Sequence, residues 1–164
     1  MMSIADKGIK NIRIDERLIH GQVATMWTNS LQASRIMVVD DDVVNNKIEK
    51  MALKTAVPMG IKLSILTAKG AAKRILEDRY IGQKVFLLVK KPQTLVELID
   101  YDLPINKIVV GNMSSREGRR SVKKSVAVSQ DDVEAFNYLK TAGVQIVAQM
   151  VPSEPEVDFM NLLK

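Results

Sequence analysis

Arg17 and His20 stand three residues apart in the run Arg13-Ile14-Asp15-Glu16-Arg17-Leu18-Ile19-His20-Gly21-Gln22-Val23, and His20 is the only histidine among 164 residues. An unprotonated imidazole is a nucleophile, and imidazoles ordinarily titrate near ~6.5. A guanidinium offers a planar fork of donors that fits two phosphate oxygens, a geometry an ammonium cannot reproduce. Phosphoryl transfer asks for little beyond an in-line nucleophile and positive charge on the equatorial oxygens. The spacing therefore points to His20 as phosphoryl acceptor and Arg17 as the group that steadies the phosphate. Asp15 or Glu16 would accept a hydrogen bond from the imidazole or from Arg17, fixing tautomer or guanidinium orientation. Gly21 removes bulk where backbone must approach an anion, and free N–H groups at Gly21 and Gln22 would complete the cradle. The scheme requires no metal ion and no cofactor.

Each residue has a plainer reading. A lone histidine is more often structural, an Arg–Asp pair is often a surface ion pair worth well under ~1 kcal/mol, and a glycine is commonly just a turn residue. Four complementary residues in one short turn after a strand shift the balance toward chemistry.

The elements that must position this turn follow from hydrophobic period. Apolar, β-branched runs alternate with segments of helical spacing, the signature of βαβ units. Strands are predicted at 9–14, 35–40, 62–66, 85–89, 108–110, 126–128 and 144–151. Helices are predicted at 22–31, 45–57 (with Ile48, Met51, Ala52 and Ala56 at helical spacing), 68–78, 94–99 and 129–142. Pro92 suits a first helical turn, Ser129 with Asp131 and Asp132 an N-terminus, and Gly143 a stop. The expected fold is α/β, an open, mostly parallel, doubly wound sheet of six or seven strands with helices on both faces, formed by residues 1–164 as a single domain. Ligands of such sheets bind outside the carboxyl ends of the strands. That edge would gather the turn at 15–21, Asp40-Asp41-Asp42, Thr67 to Gly70, Lys90-Lys91 and Gly111 to Ser114. Ser114 would donate to phosphate there, or serve only as a turn residue.

Composition narrows the classes. The absence of cysteine excludes thiol catalysis, Cys-based zinc and iron–sulfur clusters. No stretch is apolar enough to span a bilayer and the N-terminus has no secretory h-region, so a cytoplasmic protein is expected. A net charge of +5 invites a nucleic-acid reading. The densest basic cluster, Arg116-Glu117-Gly118-Arg119-Arg120 with Lys123-Lys124, lacks interleaved aromatics, so a solvated loop or a docking patch for an acidic partner is expected and no nucleic acid. Trp27 is expected in the core rather than as a docking aromatic. Asp40 to Asp42 is expected to cap helices rather than bind metal.

The run from Arg13 to Val23 resembles the active-site signature of the enzyme IIB component of the mannose, fructose and sorbose family of bacterial phosphotransferase systems. Trp27, seven residues after the histidine, Val38-Val39-Asp40-Asp41-Asp42-Val43, Val110-Gly111-Asn112-Met113, Ser125-Val126-Ala127-Val128, Asp131 to Phe136 and Val151-Pro152-Ser153 extend the resemblance over nearly the whole chain. It implies a cytoplasmic phosphocarrier, peripheral to membrane permease components. Such a carrier takes a phosphoryl group from the phosphohistidine of a IIA partner onto Nδ1 of His20 and passes it to a sugar bound by IIC and IID. Arg17 occupies the position of the arginine that assists transfer and Asp15 that of an acidic residue of the same loop. Members commonly carry aspartate where Glu16 stands and two glycines where Gly111-Asn112 stands, the latter variant resembling members that handle N-acetylgalactosamine or other amino sugars. A homodimer is left open. The rivals are a histidine phosphatase, which needs a second histidine or another acid, and a non-catalytic regulatory or anion-binding module on the same fold.

Overall fold

The structure is a computed structural model and describes residues 2–164. The chain alternates strands and helices: β1 (Ile9–Asp15), α1 (Gly21–Leu31), β2 (Arg35–Val39), a 3-10 turn (Val43–Asn45), α2 (Lys47–Ala56), β3 (Lys62–Leu66), α3 (Ala68–Leu76), β4 (Val85–Val89) and α4 (Pro92–Asp100). Then follow β5 (Lys107–Asn112), β6 (Arg120–Lys123), β7 (Val126–Val128), α5 (Gln130–Thr141), β8 (Gln145–Ala148), β9 (Val157–Asp158) and α6 (Phe159–Leu162). Seven strands form one sheet in the order β3-β2-β4-β1-β5-β8-β9. All of its pairings are parallel except β8 with β9. The predicted open, mostly parallel sheet with helices on both faces is what the chain forms.

Side chains of a strand alternate between faces, so each strand feeds two cores. Met37, Val39, Leu87 and Val89 pack with Ala71, Ile75, Leu95, Leu98, Phe136 and Phe159, which places α3 to α6 on one face. Ile36, Val38, Phe86 and Leu88 pack with Ala24, Trp27 and Leu53, which places α1 and α2 on the other. Every residue of Val85 to Val89 is buried, as a central parallel strand covered on both sides requires. The connection leaving β1 enters α1 on one face, whereas α4 crosses from β4 to β5 on the opposite face. The carboxyl end of β1, between β4 and β5, is therefore a switch point where a crevice opens.

Two expectations are corrected and two features were not foreseen. Val126 to Val128 does not join the main sheet: it pairs antiparallel with β6, an unforeseen short strand, Arg120-Ser121-Val122-Lys123, with only one apolar residue. The last parallel strand ends at Ala148 rather than continuing to Val151, because the Arg13 guanidinium takes the carbonyls of Gln149 and Met150. The short β9 and α6 carry too few residues for a periodic signal. Finally, the apolar residues at helical spacing on α2 do not face the core: of its ten residues only Leu53 is buried. The caps are as predicted, with a capping box between Ser129 and Asp132, Pro92 in the first turn of α4, and Gly143 at φ 92° after α5.

Candidate active site

Residues Arg13, Asp15 and Arg17 follow one another at the alternating spacing of a strand, which sends all three to the same side of β1 and its exit. Arg13 is 1% exposed. Its Nη1 donates to the Gln149 carbonyl (2.7 Å), its Nη2 donates to the Met150 carbonyl (2.9 Å), and its Cζ lies 5.1 Å from the centre of the Trp27 ring. The indole N–H of Trp27 donates to the same Met150 carbonyl at 3.0 Å, so α1 and the segment after β8 close over the guanidinium. Asp15, 2% exposed, is the carboxylate between the two arginines. Arg17 grips it with both Nε (3.0 Å) and Nη2 (2.9 Å) and also donates its backbone N–H (3.0 Å), while Arg13 Nη2 stands 3.6 Å away. Burial pushes the Arg13 guanidinium down to about 10, with Asp15 opposing the fall and Arg17 adding to it. Hydrogen bonding to Asp15 raises Arg17. Both arginines carry charge at neutral pH.

The turn then tightens. Leu18 adopts φ 57° with its side chain buried, a strained backbone for a residue with Cβ, held by its N–H donating to the Asp15 carbonyl (2.9 Å). His20 follows, exposed to solvent, with extended backbone as the N-cap of α1; its side chain makes no capping bond. The first bond of the helix runs from the Ala24 N–H to the His20 carbonyl (3.4 Å), leaving the N–H groups of Gly21, Gln22 and Val23 without a partner one turn back. Such a helix end attracts anions. Gly21 has φ 51°, and a Cβ there would meet nothing within 4 Å. The left-handed backbone by itself calls for glycine here, and the missing Cβ leaves open the space beside the backbone that the sequence reading assigns to an anion.

Glu16 points to a second loop. Its Oε2 accepts from the Ser114 N–H (3.0 Å) and from Arg116 Nη2 (2.6 Å), and its Oε1 accepts from Arg119 Nη1. Arg119 also donates to the Ser114 carbonyl (2.9 Å) and lies 3.8 Å from Asp132 at the start of α5. Burial raises the Glu16 pKa, but hydrogen bonds from Arg119 and Ser114 outweigh it and hold the carboxyl below its ordinary value.

The expected set is thus partly assembled. Asp15 and Arg17 meet, and Asp15 orients the guanidinium rather than the imidazole. Gly21 and Gln22 open the helix beside His20. The backbone of Ser114 is tied to Glu16 and Arg119, and Arg119 belongs to this clasp rather than to a solvated loop. Arg13 and Gly111 were given no role from sequence, although the Arg-x-Asp-x-Arg alternation itself signals a shared face. Four guanidiniums, from Arg13, Arg17, Arg116 and Arg119, surround Asp15 and Glu16, with Asp132 more distant, so the loop retains a positive surplus. Asp40 accepts from the N–H groups of Asp42 (2.9 Å) and Val43 (3.0 Å), and Asp41 from that of Ala68 (2.8 Å), which makes that triplet a turn and a cap. Among the described residues no helix is long and apolar enough to cross a membrane.

An open α/β sheet with a cation-rich histidine loop at its switch point is the class this molecule falls in, and the comparisons sharpen it. A family model described as PTS system sorbose subfamily IIB component matches residues 9–164. N-acetylgalactosamine-specific phosphotransferase enzyme IIB component 2 of Escherichia coli (strain K12) is 38% identical over 92% of this chain and 96% of its own length. The mannose-specific EIIAB component of the same organism is 34% identical over 92% of this chain and 47% of that longer protein. The crystal structure of the IIBSor domain of the sorbose permease from Klebsiella pneumoniae aligns with a TM-score of 0.90 at 31% identity, covering 94% of this chain and 95% of that one. The chain belongs to the sorbose subfamily of phosphotransferase-system IIB components, as the resemblance of its first loop implied, and is a sugar phosphotransferase component of that kind.

Proposed function

We propose that His20 accepts a phosphoryl group from the phosphohistidine of a IIA component and passes it to a sugar held by the membrane components IIC and IID. The observation that carries this reading is the placement of an exposed imidazole at the free N-terminus of α1, three residues beyond a guanidinium clamped in a bidentate grip by a buried carboxylate. In the first transfer the Nδ1 lone pair of His20 forms a bond to phosphorus as the donor N–P bond breaks, and that electron pair returns to the donor imidazole. In the second, a sugar hydroxyl oxygen forms the new bond, the His20 N–P bond breaks toward Nδ1, and the hydroxyl proton passes to the medium. Arg17 neutralises the equatorial oxygens in both steps, and Asp15 keeps its fork in one orientation. The N–H groups of Gly21 and Gln22 receive the remaining oxygen, with Ser114 at the rim.

The whole chain, 1–164, then acts as one carrier domain, a protein-phosphohistidine–sugar phosphotransferase that is cytoplasmic and peripheral to its permease. The fused EIIAB relative supports a IIA donor. The 38% identity to an N-acetylgalactosamine-specific component and Asn112 at the end of β5 favour an amino sugar within the mannose family.

Intact mass after incubation with phosphoenolpyruvate, enzyme I, HPr and a IIA protein tests the reading. One acid-labile phosphoryl group on the wild type and none on His20→Ala is the expected result. No gain with a demonstrably active IIA would leave the regulatory-module reading instead.

A further inference from the structure

The second helix is amphipathic in the wrong sense for a core. With 100° between successive residues, Met51, Thr55, Ile48, Ala52 and Ala56 fall within an arc of about 140° on α2. That arc faces solvent: Ile48 is 84% and Met51 70% exposed, and Met59, just past the helix, is fully exposed. Side chains of this size scattered singly need no explanation, but three along one helix and its exit form a ridge. Lys47, Lys54 and Lys50 fill the next arc of about 60° along one border, and Lys62 follows at the start of β3. Against these four lysines between residues 47 and 62 stands one acid, Glu49, which is already paired with Lys90 at 2.6 Å.

We infer that this ridge docks on an anionic lipid surface, the apolar side chains entering the boundary between headgroups and acyl chains and the lysines lying among the phosphates. Apolar side chains on one arc with lysines beside them are the pattern of helices that lie in a membrane interface. Lysine stems bury alongside apolar surface while their ammonium groups stay with the headgroups. Protein interfaces favour aromatic residues and arginine and are poor in lysine, and α2 and its exit contain neither aromatic nor arginine. A second copy stacked antiparallel on the ridge would set lysines against lysines.

This inference does not depend on the phosphoryl chemistry, because α2 holds none of the residues of the histidine loop. It is tested by co-sedimentation of the full chain with vesicles of phosphatidylglycerol in phosphatidylcholine and with vesicles of phosphatidylcholine alone. Wild type should bind the anionic vesicles and release from them as salt is raised. Ile48→Ser with Met51→Ser should weaken binding roughly tenfold per residue, and Lys47→Gln, Lys50→Gln and Lys54→Gln roughly fivefold each, with unchanged circular dichroism and unchanged phosphorylation of His20. Absence of binding to anionic vesicles overturns the inference, as does binding that the variants leave intact. A concentration-dependent dimer abolished by Met51→Ser would assign the ridge to a second copy. Retention only by purified membrane components, and never by bare vesicles, would assign it to a protein.

Discussion

The guanidinium of Arg13 occupies the space where a side chain at position 111 would begin: a Cβ on Gly111 would fall 2.1 Å from Arg13 Cζ. Gly111 lies in β5, beside β1, and its backbone has no left-handed requirement. It is glycine so that a buried cation can lie flat against the sheet beneath Asp15. Replacement by alanine must move Arg13 or β5. Gly111→Ala is expected to destabilise the fold by about 2–4 kcal/mol, read as a lowered urea midpoint, because overpacking and loss of buried charge contacts act together.

Asp15→Asn tests the same stack from its other side. The amide is close in shape but leaves two guanidiniums facing each other with no carboxylate, one of them buried. Breaking a buried charge contact from one side costs about 3 kcal/mol or more, and that loss is the expected change in unfolding free energy. A change near zero would mean that Arg13 is balanced by the carbonyls of Gln149 and Met150 alone.

Arg17→Lys separates geometry from charge. The lysine keeps the positive charge but cannot hold both carboxylate oxygens and two phosphate oxygens in one plane. The rate of phosphoryl acceptance from a phosphorylated IIA should fall about tenfold to a hundredfold, with stability little changed, since Arg17 is partly exposed. Rapid-quench kinetics of acid-labile phosphate on the protein measures it.

Glu16 sets an acid limit on the clasp. Its folded-state pKa lies below the ordinary 4.5, so its contribution is complete above that value and is lost as pH falls through the depressed one. Wild type should therefore lose stability more steeply than Glu16→Gln below about pH 5, and the two urea midpoints should converge in acid. Parallel curves would show that the Arg119 contact adds nothing to folding.

Much of this architecture was legible from period alone. The runs at Val85 to Val89 and Ile36 to Val39 are strongly apolar and β-branched, and their burial on both faces follows from the parallel sheet. The histidine loop was legible because its residues are close in sequence. The clasp was not: Glu16 and Arg119 are 103 residues apart, and no local pattern announces such a contact. The exposed ridge of α2 failed in the opposite way, since helical spacing of apolar residues reports a shared face but not which way that face points.

Trp27 is the only tryptophan in the chain, and it contacts both the Arg13 cation and the Phe86 ring, whose centre is 6.1 Å away. Its emission therefore comes from one place, on the helix that His20 caps. The molecule carries its own optical gauge: any event that shifts the charge or position of Arg13 alters the field on a single indole, and can be timed by fluorescence without a label.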